Sequence, residues 1–319
     1  MDTAFTRLVG CTVPLQQAGM GGVAGPDLAV AVADAGALGM LGMPTAAPEA
    51  TAEALESVGR RTAGPVGVNF LMPFVDRDVV AAAAGRCRLV EFFYDEPAPD
   101  LVALAHEGGA LAAWQVGSVE EARAAAGAGC DLVVAQGVEA GGHVRGQVGL
   151  LPLLDAVLEA VDVPVVAAGG IATAREMAAV VAAGAAAARV GTRFVATAEA
   201  DAHPSYVDAL VGAGPEDTVL TTTFSVMWPD APHRVLRSCV EAAEAIDDDV
   251  VGEMEVPGGA RLPIPRLSPP CPGRGTTGRT DAMALYAGQS VGAVRRVERA
   301  ADVVRELAEG AERLLAGRR

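Results

Sequence analysis

The chain has 319 residues, 51% of them hydrophobic but only 4% aromatic, with 40 acidic and 24 basic residues and a net charge of −16. That charge argues against nucleic acid as a partner. Every basic residue is an arginine, which removes Schiff-base lysine chemistry and lysine-dependent P-loops from consideration.

The length suits one large α/β domain or a domain with an insert, its core built from Ala, Val and Leu. Five cysteines, at 11, 87, 130, 239 and 271, are odd in number and carry no CxxC spacing. Reduced thiols and a cytoplasmic location are the expectation. Four scattered histidines without paired carboxylates predict no metal site. The N-terminus shows no leader pattern. Apolar runs such as Met177 to Ala188 are broken by glycine and closed by Arg189. They fall short of the roughly 18 residues a membrane span needs, so a soluble protein is expected.

In chain order, the first predicted strand is Val13–Gln17, followed by Gly19-Met-Gly-Gly22 and a helix over Pro26–Ala35. Further strands are predicted at Leu38–Leu41, Pro65–Phe70, Leu89–Phe93 and Leu111–Val116, then a helix at Val119–Ala128. Leu132–Gln136, Pro164–Ala168 and Ala187–Val190 complete a set of eight. Continuous apolar runs bounded by turn residues indicate buried parallel strands. Eight alternating units predict a closed (β/α)8 TIM barrel over residues 1–203, with its chemistry at the C-terminal strand ends.

Residues 204–256 change character and predict a small inserted α+β cap, with a threonine-rich strand over Val219–Val226 and an amphipathic run from Pro232 to Ile246. Residues 257–280 hold six prolines and five glycines and predict a long loop, of a length typical of lids, binding loops or disordered segments. Residues 281–319 are expected to return to the barrel through a loop and a helix. The apolar stripe there is Val291, Val294, Val297, Val304 and Leu307.

The strongest local signal is Gln136-Gly-Val-Glu-Ala-Gly-Gly-His-Val-Arg145, directly after a buried strand. Gly141 and Gly142 remove side chains where something must approach the backbone. His143 adds a ring that titrates near neutral pH. Taken alone, a histidine is usually a satisfied core residue; the glycine pair, the strand end and Arg145 shift this one toward catalysis. His106, His203 and His233 lack such context, and His106 reads as surface helix. Asn69, the only asparagine, ends the third strand. It reads equally as a turn residue or as an amide offered to a heterocycle edge.

Gly169-Gly170 opens the loop after the seventh strand, and Arg189-Val190-Gly191-Thr192 ends the eighth. In barrels these two loops often bind phosphate through free N–H groups, so a phosphate-bearing cofactor is expected. Gly19-Met20-Gly21-Gly22-Val23-Ala24 matches a dinucleotide fingerprint. The next strand ends at Leu41-Gly-Met-Pro44 without an acidic residue for a ribose. A loop giving backbone access to a flat ring is the better reading.

Taken together, Pro14 to Gly22, Gly67-Val-Asn-Phe70, Gln136 to His143, Ala168-Gly-Gly-Ile171, Val190 to Phe194 and Tyr286-Ala-Gly-Gln-Ser290 resemble the nitronate monooxygenase family. That family, formerly called 2-nitropropane dioxygenases, also includes flavin-dependent enoyl-ACP reductases. The resemblance runs nearly end to end and is more specific to the family than to one activity. It implies FMN in a barrel with a smaller domain over the mouth. It places Gly19, Met20 and Gly21 behind the flavin ring and Asn69 and Gln136 against the ring or ribityl chain. Gly141 and Gly142 would lie along the flavin. Gly169, Gly170, Arg189, Val190, Gly191 and Thr192 would cradle its phosphate, and Gln289 would reach the cofactor from the C-terminal loop.

His143 matches the family's catalytic base, a role suited to a pKa near the working pH. The implied activity is oxidation of alkyl nitronates with O2 to carbonyl compounds and nitrite. The alternative is an NAD(P)H-dependent reductase of enoyl thioesters or quinones on the same scaffold, and a third is an idle flavin-binding protein. The partners implied are a small-molecule substrate and O2, with no nucleic acid and no membrane; a homodimer is left open.

Overall fold

Proline sets where the buried runs become strands. Three of the expected strands include a proline at or near the start, and in each the ladder begins one residue after it, at Leu15, Val66 and Val165. Proline has no N–H to give to a ladder. The computed structural model describes residues 1–42, 47–256 and 259–317. Met43 and Pro44, read as the end of the second strand, and residues 257 and 258 of the Pro/Gly-rich segment lie outside the described residues.

The chain begins with α1 (Ala4–Val9), β1 (Leu15–Gln17), α2 (Pro26–Asp34), β2 (Gly39–Gly42), α3 (Pro48–Arg61) and β3 (Val66–Leu71). It continues through α4 (Arg77–Ala84), β4 (Leu89–Phe93), α5 (Pro99–Glu107), β5 (Leu111–Val116), α6 (Val119–Gly127) and β6 (Leu132–Gln136). A two-residue strand, β7 (Gly142–His143), precedes α7 (Leu150–Ala160), β8 (Val165–Ala168), α8 (Ala174–Ala182), β9 (Ala187–Val190) and α9 (Thr192–Val195). The helices read at Pro26 and Val119 are present, each ending one residue earlier than expected.

Eight parallel strands form one sheet in the order β1-β9-β8-β6-β5-β4-β3-β2. A parallel bridge from Gln16 to Leu38 joins β1 to β2 and closes the cylinder. The fold is the expected TIM barrel. One apolar cluster lies between sheet and helices; a second fills the lower lumen with Leu38, Met40, Leu89, Leu132 and Val134. Phe5 and Val9 of α1 belong to that second cluster and plug the N-terminal end. Arg88 fixes the plug by donating to the carbonyls of Val9 (3.0 Å) and Leu8 (2.5 Å). Only the opposite end is left for chemistry.

Beyond α9 come α10 (Pro204–Val211), β10 (Thr218–Thr221), β11 (His233–Leu236), α11 (Arg237–Glu244), β12 (Val250–Glu255), β13 (Arg261–Pro265), β14 (Thr277–Gly278) and α12 (Ala300–Ala316). Two small antiparallel sheets result, β10-β11-β7 and β13-β12-β14. The 257–280 segment is therefore more than the loop expected: β13 and β14 flank β12 within it. The prolines that suggested a loop, Pro263 and Pro265, sit on an edge strand, where a missing N–H is tolerated.

The C-terminal stripe is corrected as well. Val291 belongs to a short 3-10 turn, Gln289–Ala293, and Val297 is 56% exposed. The helix starts only at Ala300 and buries Val303, Val304 and Leu307. Its Gly310 lies against α8, where a Cβ would come 2.5 Å from that of Ala174.

The extra segment leaves and rejoins the barrel at one stem. Thr197 bridges Glu298; Ala198 N–H donates to the Glu298 carbonyl (2.9 Å) and Glu298 N–H to that of Ala196 (3.2 Å). Arg193 locks the stem by pairing with Glu298 (3.0 Å) and Glu306 (2.6 Å). Among the described residues no helix is long and apolar enough to cross a membrane, and no cluster of three or more His, Cys, Asp or Glu could hold a metal.

Candidate active site

The floor of the open end is a buried polar layer. Glu91 of β4 is fully buried and accepts from Gln16 Nε2 (2.7 Å), Asn69 Nδ2 (2.7 Å) and Arg189 Nη1 (2.5 Å). Asn69 stands beside Glu91 in the sheet register, while Arg189 reaches it from β9. A carboxylate in an apolar lumen is tenable only with such ligation. The network also fixes polarity. Asn69 turns its NH2 toward Glu91, donating one of its two N–H groups, so its carbonyl oxygen faces away from that carboxylate. Gln136 likewise spends Nε2 on the His143 carbonyl (3.0 Å), and its buried Oε1 has no partner. Both amides thus present acceptors.

His143 stands at the rim in an aromatic box. β7 pairs with β11, which sets His143 opposite His233. The imidazole stacks on Trp228 with centroids 4.0 Å apart and planes at 21°. Tyr94 meets it edge-on at 5.7 Å, and Tyr286 lies at 5.6 Å. Trp228 is itself held by Phe74 (5.3 Å) and Tyr94 (4.7 Å). In a chain this poor in aromatics the concentration is functional in form: rings are placed where a wall must be apolar and stiff. Tyr94 (φ 82°) and the residues flanking the Trp228 turn, Met227 (φ 75°) and Asp230 (φ 56°), take left-handed backbone conformations. Each costs on the order of 1–2 kcal/mol, which the ring packing must offset.

Burial first, and the neighbouring His233 second, push the His143 pKa down to about 3. The near-neutral titration expected from sequence is therefore corrected: the ring is neutral at working pH. Its Nε2 is buried without a partner. His233 is neutral too, its pKa lowered mainly by burial. The Ala231 carbonyl lies 2.8 Å from its Nδ1, and Phe224 N–H donates to its Nε2 (3.2 Å). With Nε2 accepting, Nδ1 carries the hydrogen.

The glycines divide by role. A Cβ on Gly141 would lie 2.4 Å from the Gly288 nitrogen, so the protein's own C-terminal loop, and not a ligand, fills the space that side chain would need. Gly142, at φ 78°, faces open space. Gly170 has φ 68°, and among the described residues neither its amide nor that of Gly191 has a hydrogen-bond acceptor. Met20 lies close to Gly191, and Gly19 packs directly on Asn69. The Gly19–Gly21 loop, the floor and the Gly191 turn are thereby brought together. Gly169, at φ 103°, turns against the Gly137 carbonyl. Thr192 Oγ1 accepts from Gly288 N–H (3.0 Å), tying in the C-terminal loop.

Besides Gly141, three candidates differ from expectation. Arg189 turns its guanidinium down to Glu91 and leaves the phosphate loops only its main chain. Val190 points into the outer core, and its carbonyl is taken by Ala18 N–H. Gln289 is exposed and engages Glu139 through its backbone N–H (2.9 Å).

A sequence-family model described as Nitronate monooxygenase matches residues 2–84 and 73–310. The chain belongs to the nitronate monooxygenase family. A Rhodococcus jostii relative, (3aS,4S,5R,7aS)-5-hydroxy-7a-methyl-1-oxo-octahydro-1H-indene-4-carboxyl-CoA dehydrogenase, is 36% identical over 265 residues, covering 82% of this chain and 70% of its own. The solved structure of FabK from Thermotoga maritima superimposes with a TM-score of 0.82 at 28% identity, over 99% of this chain and 98% of that one. Nitroalkane oxidase from Streptomyces ansochromogenes gives 0.74 at 30% identity, over 98% and 100%. This member of the family is accordingly an oxidoreductase.

Sequence reading passed over Glu91, Trp228 and His233. Glu91 carried a usable signal, a lone acid inside the apolar run Leu89–Phe93. Trp228 carried a weaker one, as one of two tryptophans. His233 carried none, since only the β7–β11 pairing brings it to His143.

Proposed function

We propose that this family member is an FMN-dependent nitronate monooxygenase that converts alkyl nitronates and O2 to carbonyl compounds and nitrite. The observation that carries this reading is the neutral, unpartnered Nε2 of His143 at the rim of a mouth where the buried Oε1 of Gln136 is also unpartnered. The residues present fit FMN. Asn69 and Gln136 show acceptor oxygens, as N–H and O–H groups of a flavin and its ribityl chain require. The amides of Gly170 and Gly191 are available to a phosphate, with the Gly19–Gly21 loop as the remaining wall. FMN, when bound, supplies the electron acceptor and the reaction with O2; the protein supplies position and electrostatics.

His143 then acts as a base toward neutral nitroalkanes. Its nitrogen takes the α-proton, the C–H electron pair moves into the nitro group, and the nitronate forms beside the new imidazolium. A ring that protonates only near pH 3 resists carrying charge alone. The adjacent anion supplies the compensation that water would otherwise give. Trp228 and Tyr94 hold the ring plane and keep water from it.

The likeness to FabK and to the CoA dehydrogenase favours a second reading, an NAD(P)H-dependent reductase. Purified protein should be yellow and should release nitrite and consume O2 with a nitronate in the absence of nicotinamide. Rapid anaerobic bleaching by NADH or NADPH, with no nitrite from nitronates, would overturn the monooxygenase reading in favour of the reductase.

A further inference from the structure

The layer beneath the mouth has a feature that binding alone does not require. Glu91 and Arg189 are opposite charges, 0% and 7% exposed, joined across the lumen at 2.5 Å. They are embedded at the height of Asn69, itself buried and touching the Gly19 turn. A buried ion pair is weak support for stability, and an apolar pair of similar volume often serves as well or better. Other barrel layers here do use apolar residues, such as Leu89, Leu132 and Val134. The two charges also differ in freedom. Glu91 is held by three donors on its two oxygens, whereas among the described residues Arg189 spends only Nη1 on a side-chain partner. A fixed carboxylate thus holds a guanidinium with donors left over, directly below the strand end that leads into Gly191.

We propose that the Glu91–Arg189 pair forms a charge-balanced floor that sets the reduction potential of the flavin bound above it, with Glu91 positioning both Arg189 and the Asn69 amide. This rests on the FMN reading given above. Reduction adds negative charge to a flavin ring. A nearby guanidinium favours that state and a nearby carboxylate opposes it, strongly so away from water. With both present the effects largely cancel. Removing either one uncovers the other.

The test is a set of three variants, each loaded with FMN, and spectroelectrochemical titration of the flavin. Glu91→Gln leaves the arginine unbalanced and should favour the reduced form about tenfold, a rise of about 30 mV for a two-electron couple. Arg189→Gln leaves the carboxylate unbalanced and should shift the potential down by a similar amount. The double variant should return close to wild type. If Glu91→Gln alone does not fold, the opposite displacement of Arg189→Gln and its reversal in the double variant still decide the matter. Shifts of one sign, or none, overturn the proposal, because a purely structural role would disturb all three variants alike. Wild-type protein that takes up no FMN overturns the flavin reading and this proposal with it. FMN uptake with an unresponsive potential overturns this proposal alone.

Discussion

Replacing His143 with phenylalanine keeps a ring against Trp228 and removes a single titration. In the folded wild type the imidazole binds a proton only near pH 3, whereas an unfolded histidine binds one near pH 6.5. The folded pKa is depressed, so the stability it confers is fully present above about pH 6.5 and is lost as pH falls toward 3. At pH 5 the unfolded ring has passed its pKa by about 1.5 units while the folded ring is still neutral. At about 1.36 kcal/mol per unit, folding has lost about 2 kcal/mol. Urea unfolding followed by circular dichroism, at pH 7.5 and pH 5 with equal free FMN, measures this. Wild type should lose about 2 kcal/mol more than His143→Phe between the two conditions, since carboxylates and His233 contribute to both proteins. Equal losses would refute the buried, neutral assignment.

Trp228→Ala should let water reach His143 and raise its pKa from about 3 toward the ordinary value. The acid limb of kcat/KM against pH for a neutral nitroalkane would follow it upward, and a limb that stays in place would show that Trp228 does not desolvate the ring. Gly141→Ala and Gly288→Ala place a Cβ 2.4 and 2.8 Å from a main-chain nitrogen. Each should cost about 1–3 kcal/mol, read as a lower Tm and faster proteolysis near residues 286–290; a wild-type Tm would mean that the two loops part freely. Gln136→Leu removes the donor to the His143 carbonyl and the acceptor offered to the cofactor. A weakening of FMN affinity by roughly tenfold or more, about 1.4 kcal/mol, is expected in a fluorescence titration, and unaltered affinity would exclude Gln136 from the cofactor site.

The barrel was legible because its strands are buried on both faces and read as unbroken apolar runs such as Leu132 to Ala135. Glycines and amides at the strand ends pointed to the C-terminal rim, where the structure brings the Gly19 turn, Asn69 and the Gly191 turn together. The inserted segment was harder. Its strands are short and partly exposed, so Val250–Glu255 alternates weakly and was missed. The Pro232–Ile246 run splits into a strand and a helix. Side-chain direction was the other gap. The strand Ala187–Val190 has the bounds expected, yet Arg189 reads toward the phosphate loops because its partner Glu91 lies 98 positions away and only the closed barrel brings the two together. Partners such as His143 and His233, 90 positions apart, meet only through sheet register.

The stem at Thr197 and Glu298 implies an order of assembly. Everything between the eighth barrel strand and the helix that seats on α8 is insert, about 100 residues of it. At about 5–20 residues per second on the ribosome, the nascent barrel waits roughly 5–20 s with an apolar seam uncovered. The α8 face at Ala174 and the α12 face at Gly310, which pack together, meet only once α12 has been made. Truncation of even the last few turns would therefore leave a finished-looking cylinder whose wall cannot shut, and such a chain should aggregate rather than merely lose activity.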